Sequence, residues 1–199
     1  QTDAFILLKR PPTDAFQSFS AFSPEEGSLW LLQRIPKKSA ATSVALDLFD
    51  EVSLILESSN QGRSWFVKEA QLIARHPGIG NSYETLRLAS ALAVVIARNP
   101  VHEESRPAVA GLLRSAFVAF AAGPRPDIAY FKSLYRFARD EGYPLKQHWF
   151  PTLPAADRTE VATLINQPLS AQTAGPGVVA RLQHRLEAYL RGHTEILLE

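Results

Sequence analysis

The sequence predicts an α+β chain: a five-stranded barrel over about residues 1–75, then an all-helical domain over about residues 76–199, the C-terminal helix included. Three observations carry this. From Phe5 to about Arg75, short apolar runs are broken by turn chemistry at Pro11-Pro12-Thr13-Asp14, Ser23-Pro24-Glu25-Glu26-Gly27, Pro36-Lys37-Lys38-Ser39 and Ser58-Ser59-Asn60-Gln61-Gly62, which reads as all-β. Beyond His76 the apolar period lengthens from two to three and four residues, the mark of helices. Finally, 46% of the 199 residues are hydrophobic, enough for a buried core.

The first strand spans Phe5 to Leu8, the second Phe16 to Phe22 and the third Ser28 to Arg34. The fourth, Leu46 to Leu56, has the plainest period of two. Leu46, Leu48, Val52, Leu54 and Leu56 take one face, and Asp47, Glu51, Ser53 and Glu57 take the other. Trp65 to Leu72 is the fifth. Five strands in so short a stretch favour a closed barrel over an open sheet, because closure leaves no unpaired edge, and an OB-type barrel is the expected form.

Ser82 starts the first helix, which places Tyr83, Leu86, Ala89, Ala93 and Ile96 on one face and stops at Asn99-Pro100. A second helix runs from about Glu103 to Ala121, with Pro107 in its first turn and Gly123-Pro124 at its end. A third covers about Asp127 to Glu141 and closes at Gly142-Tyr143-Pro144. Its apolar side is Phe131, Leu134, Phe137 and Ala138, while Lys132, Arg136 and Arg139 form a basic row at i, i+4 and i+7. A short helix from Ala155 to Ile165 follows the connector Pro151 to Pro154. After the break at Ala174-Gly175-Pro176-Gly177, a final amphipathic helix spans Val178 to Leu190 and ends at Arg191-Gly192.

Composition excludes several classes. The formal net charge is +1, so no uniformly basic surface is available for nucleic acid, and any anion site is local. Cysteine is absent, which removes a disulfide framework and a thiolate metal site and makes the cytoplasm the expected location. The longest apolar run, Leu86 to Ala97, is interrupted by Arg87 and Ser90 and is too short to span a bilayer, so no membrane partner is expected. Enzyme chemistry finds no support either. Gly78-Ile79-Gly80 lacks the third glycine of a dinucleotide loop, and no phosphate loop or Gly-x-Ser-x-Gly elbow occurs. His76, His102, His148, His184 and His193 have no metal-binding spacing, and the acid pairs Glu25-Glu26 and Glu103-Glu104 sit in a turn and at a helix start. The expectation is a non-enzymatic protein without metal or cofactor.

Two features point to binding. The barrel carries cations at its strand ends: Lys9 and Arg10, then Arg34 with Lys37 and Lys38, then Arg63 and Lys68. Phe16, Phe19, Phe22, Trp30, Trp65 and Phe66 are interleaved with them, and an OB-type surface holds single strands by stacking bases on such rings beside phosphate contacts. A small barrel also takes most of its rings inside. Residues 1–75 hold eight Lys and Arg against nine Asp and Glu, so a footprint there requires that the charges be segregated; Asp47, Glu51 and Glu57 alternating on one face would permit that. The second feature is the row Lys132, Arg136 and Arg139 with Lys146 beyond it, either a solvated helix face or a dock for an acidic peptide or a phosphate backbone.

The order of these pieces resembles that of a known family. Ala4-Phe5-Ile6-Leu7-Leu8-Lys9-Arg10-Pro11, Phe19-Ser20-Ala21-Phe22-Ser23-Pro24-Glu25-Glu26-Gly27 and Leu31-Leu32-Gln33-Arg34 with Lys37-Lys38 are similar to the opening of the bacterial recombination mediator RecO family. Phe131-Lys132-Ser133-Leu134-Tyr135-Arg136-Phe137 with Gly142-Tyr143-Pro144, and Leu182 to Leu190 with Gly192, resemble its later helices. The resemblance implies an OB-fold followed by a helical domain, and a DNA repair and recombination mediator that binds and anneals single-stranded DNA with RecR and the single-stranded-DNA-binding protein. It implies DNA contact at Lys9, Arg10, Arg34, Lys37 and Lys38, and a dock for that protein's acidic tail on the basic helix row. The chain departs from the family in lacking the four-cysteine zinc site of many members, in Ile35-Pro36 within the basic loop, and in Phe16 where an acid is expected. The other reading of the same residues is a non-enzymatic interaction scaffold, with a structural barrel and a peptide-binding helical domain.

Overall fold

Five antiparallel-dominated strands close into a barrel in the order β1-β2-β3-β5-β4 in the computed structural model, which describes residues 1–35, 44–59 and 63–199. The strands are β1 (Thr2–Lys9), β2 (Phe16–Ser23), β3 (Gly27–Arg34), β4 (Glu51–Ser59) and β5 (Ser64–Ala74). Among the described residues only β3 and β5 run parallel, joined at Leu31↔Trp65 and Leu32↔Phe66. β1 closes the barrel by serving two neighbours: Thr2 to Phe5 pair with β4, and Phe5 to Lys9 pair with β2 across a bulge between Ile6 and Leu8. The expected α+β class and OB-type barrel are therefore present.

Alternation along each strand sends Ala4, Ile6, Phe19, Ala21, Leu29, Leu31, Val52 and Leu54 into the interior, with Trp65 and Val67 packed against them. The expected strand from Leu46 is shorter than the pattern suggests, because regular pairing begins only at Glu51. Phe49 has φ 67, which no strand accommodates, and the buried Asp50 carboxylate accepts the Asp47 amide at 2.9 Å to fix a turn. Leu46 nevertheless reaches the core, since Gln33 clamps its segment: Nε2 donates to the Val44 carbonyl at 2.8 Å and Oε1 accepts from the Leu46 amide at 3.2 Å. The β2–β3 turn matches its sequence. Gly27 takes φ +76, and Ser23 Oγ accepts the amides of Glu25 and Glu26.

Six helices follow: α1 (Tyr83–Arg98), α2 (Arg106–Ala122), α3 (Pro126–Asp140), α4 (Leu145–His148), α5 (Ala155–Asn166) and α6 (Pro176–His193). The expected second helix is divided, with a 3-10 turn at Glu103–Ser105 before α2, and the single turn of α4 has no periodicity by which a sequence could announce it. The last helix runs through Gly192 to His193 rather than stopping there.

By contacts the chain forms two units that cross the expected break at residue 75: residues 1–76 with 96–114, and residues 77–95 with 115–199. In the first unit, Arg114 ties α2 to the barrel residues Glu51 and Phe5, its guanidinium carbon 5.6 Å from the Phe5 ring centre. In the second, α3 is the hub, with nine buried residues between Ile128 and Ala138 and contacts to α4, α5 and α6. Gly78 belongs to packing and not to a ligand loop: a Cβ there would collide with the Ala121 carbonyl.

Candidate nucleic-acid interface

The alternation that fills the barrel also decides which rings remain outside. Phe19 and Leu31 point in, so Ser18, Trp30 and Leu32 point out, and the register Ser18↔Leu32↔Phe66 brings Phe66 of β5 onto the same surface. Phe16 and Arg34 are paired in register and share that surface, because the intervening Gln17↔Gln33 pair faces inward. The result is a band on the outer face of β1, β2, β3 and β5. Trp30 is 36% exposed, and Arg10 lies over its ring at 4.8 Å. The Phe16 and Phe66 rings are tilted at 41° with centroids 5.4 Å apart. Arg10 is held there because its amide donates to the Ser18 carbonyl at 3.1 Å and its own carbonyl accepts from the Gln17 side-chain amide.

Of the expected cations, Arg10 and Arg34 meet on this band. Lys9 does not: it pairs with the inward Phe19, and its ammonium turns to Asp47 at 3.1 Å. Lys68 points out of β5 but is taken by Glu57 at 2.6 Å, a pair exposed on both sides. Arg63 is exposed in the turn preceding β5. Lys37 and Lys38 lie outside the described residues. Phe19 and Phe22 are core residues, and Trp65 packs inside the barrel, so the rings available for stacking are Trp30, Phe16 and Phe66.

Glu51, Ser53 and Glu57 do share the face opposite the core residues Val52, Leu54 and Leu56, as expected, but they do not form a row of surface acids. Glu51 is 3% exposed and is held bidentately by Arg114, Asp47 lies before the strand, and only Glu57 stands on the outer surface. Two arginines that sequence reasoning did not single out take up groups near the barrel surface. Arg75 donates to both Asp50 oxygens, at 2.8 and 2.6 Å, and Arg106 donates to the Glu25 carbonyl at 2.9 Å. Each removes an acid or turn carbonyl from the surface inventory, and no local spacing rule could have paired residues so far apart in sequence.

The basic row on α3 has partners as well. Lys132 Nζ donates to the Gln167 carbonyl, and burial lowers the pKa of its ammonium. Arg136 and Arg139 both reach Asp140, at 3.4 and 2.7 Å. Lys146, on α4, is exposed. Three aligned cations thus share one carboxylate and one carbonyl, which leaves a weaker field than the sequence suggests.

Among the described residues no group of three or more His, Cys, Asp or Glu could hold a metal ion, and no helix is long and apolar enough to cross a membrane. A scan of protein-family models and a search of curated proteins find no match to this chain.

Proposed function

We propose that the protein is a RecO-like recombination mediator, a non-enzymatic cytoplasmic protein that holds and anneals single-stranded DNA on the outer face of its barrel and acts with RecR and the single-stranded-DNA-binding protein. The observation that carries the reading is the outward band of rings between two arginines, with Trp30 exposed under Arg10, the half-buried Phe16 against Phe66, and Arg34 beside Phe16. Rings accept bases of any sequence, and guanidinium groups accept phosphates, so the band suits sequence-independent single strands. Among the described residues, Arg10 and Arg34 are the expected cations on the band. These two contacts contribute about −1.4 to the salt slope, ~0.7 each on a single strand.

Anisotropy titrations of a labelled oligothymidine between about 50 and 300 mM salt test this. Trp30→Ala should weaken binding by about 1–3 kcal/mol, the worth of one stacked base, while the chain still unfolds in one cooperative transition, because the ring is outside the core. Arg10→Ala should flatten the salt slope by about 0.7. No affinity at the low-salt end sinks the proposal. Binding of RecR or of the acidic tail by a chain that ignores DNA would favour the scaffold reading.

A further inference from the structure

The helical residues enclose a groove that the DNA reading does not use. It lies between α6 and the segment 145–153, measures about 620 Å³ and is open to solvent along one side. Its floor is apolar and aromatic. Trp149 is almost wholly buried, 6.5 Å from the Tyr189 ring and 6.2 Å from Tyr135, and Leu153 and Ala188 complete the lining. Tyr189 is in turn stacked on His193, with centroids 4.6 Å apart and planes within 8°.

The rim is cationic or hydrogen-bonding, and no acid lines the groove. Arg185 meets Asp157 through Nε at 3.2 Å, and its terminal nitrogens have no acceptor among the described residues. His193 Nδ1 donates to the Tyr189 carbonyl at 3.2 Å, which leaves Nε2 of the neutral ring as an acceptor, so His193 shapes the wall and donates nothing to an anion. The His148 ring has no hydrogen-bond partner among the described residues. Aromatic walls select a flat body, and a rim with the Arg185 guanidinium, the His148 imidazole and no carboxylate selects a negative substituent.

We infer that this groove binds a small planar aromatic anion, an arene bearing a carboxylate or a phosphate.

The test uses the full chain with 1-naphthoate, with 1-naphthamide as the neutral counterpart of the same shape, read by saturation-transfer NMR and titration. Naphthoate should bind with a Kd of about 1 mM or tighter, reasonable for so few atoms. The amide should bind about tenfold more weakly, the worth of one charge-assisted contact. Ala188→Trp fills the groove from an exposed helix position and should abolish binding with helix content retained. His148→Ala, also exposed, should weaken naphthoate several-fold and leave the amide unchanged, which keeps the test open if the first variant does not fold. Equal binding of acid and amide overturns the inference, as does full binding by the folded Ala188→Trp chain. A short peptide ending in a free phenylalanine carboxylate that binds at least tenfold tighter than naphthoate also overturns it, since the groove would then be a dock for a partner's tail.

Discussion

Asp50 and Glu51 are consecutive acids with almost no exposure, and each is answered by one arginine, Arg75 and Arg114. A buried carboxylate that loses its partner keeps its desolvation penalty, so truncating the arginine costs far more than the pair contributes over an apolar substitute. Arg75→Ala and Arg114→Ala should each lower unfolding free energy by about 3 kcal/mol, in the range for breaking a buried pair from one side. Lys68→Ala, which removes a pair exposed at both ends, should cost less than about 0.5 kcal/mol. Urea midpoints at neutral pH separate the two cases, and similar values for Lys68→Ala and Arg75→Ala would refute the assignment of burial as the deciding factor.

Elements here are shaped by a few side chains that act on backbone groups. Gly27 sits at φ +76 with the Arg106 guanidinium 3.1 Å from where a Cβ would stand, so Gly27→Ala strains the β2–β3 turn twice over. It should destabilise the fold by about 1–2 kcal/mol in thermal melts, whereas Gly80→Ala meets nothing within 4 Å and should be tolerated. At the end of α5, Gln172 Nε2 donates to the Thr163, Leu164 and Gln167 carbonyls at 3.3, 3.1 and 2.9 Å, standing in for an absent cap glycine. Gln172→Ala should fray that last turn, seen as faster amide exchange there. These devices explain what the sequence could and could not tell. Period-two runs around Phe19 and Leu31 and the helical period from Tyr83 are local, and they locate barrel and helices. The start of β4 is not local: Leu46 to Asp50 alternates well enough to look like strand, yet Gln33, Ile6 and Arg75 hold it as a turn from three distant places. For the candidate site, Arg10 and Trp30 were legible as a basic residue and a ring, but only the β2–β3 register puts Trp30 outside and only the β3–β5 register, Leu31↔Trp65, puts Trp65 inside. Lys9 and Lys68 looked equivalent to Arg10 until Asp47 and Glu57 claimed them.

At the scale of the whole molecule these pairings also set how stability depends on pH. Burial lowers the pKa of His76 below its ordinary 6.5, against the opposing attraction of Glu51 and Asp50. Hydrogen bonds from Thr2 and then Ser23 hold Glu25 below its ordinary range, outweighing burial. Burial pushes Asp47 upward, but Lys9, the Leu48 amide and Arg75 together bring it below. All three groups bind fewer protons in the folded chain than in the unfolded one, so acidification favours unfolding at each. The losses fall in two windows. As pH drops through 6.5 toward the depressed His76 value, the unfolded chain takes up a proton that the folded chain resists, and stability declines first there. Below the ordinary carboxylate values of 4.5 for Glu25 and 3.8 for Asp47, the two acids lose their folded advantage in turn. Urea midpoints measured from pH 7.5 downward should therefore show a first decline in the His76 window and a second, steeper one in the acid window. His76→Gln should remove the first decline and keep the second, while Lys9→Ala should reduce the second and keep the first. A first decline that survives in His76→Gln would mean that another group titrates there and that the barrel's acid sensitivity does not begin at this residue.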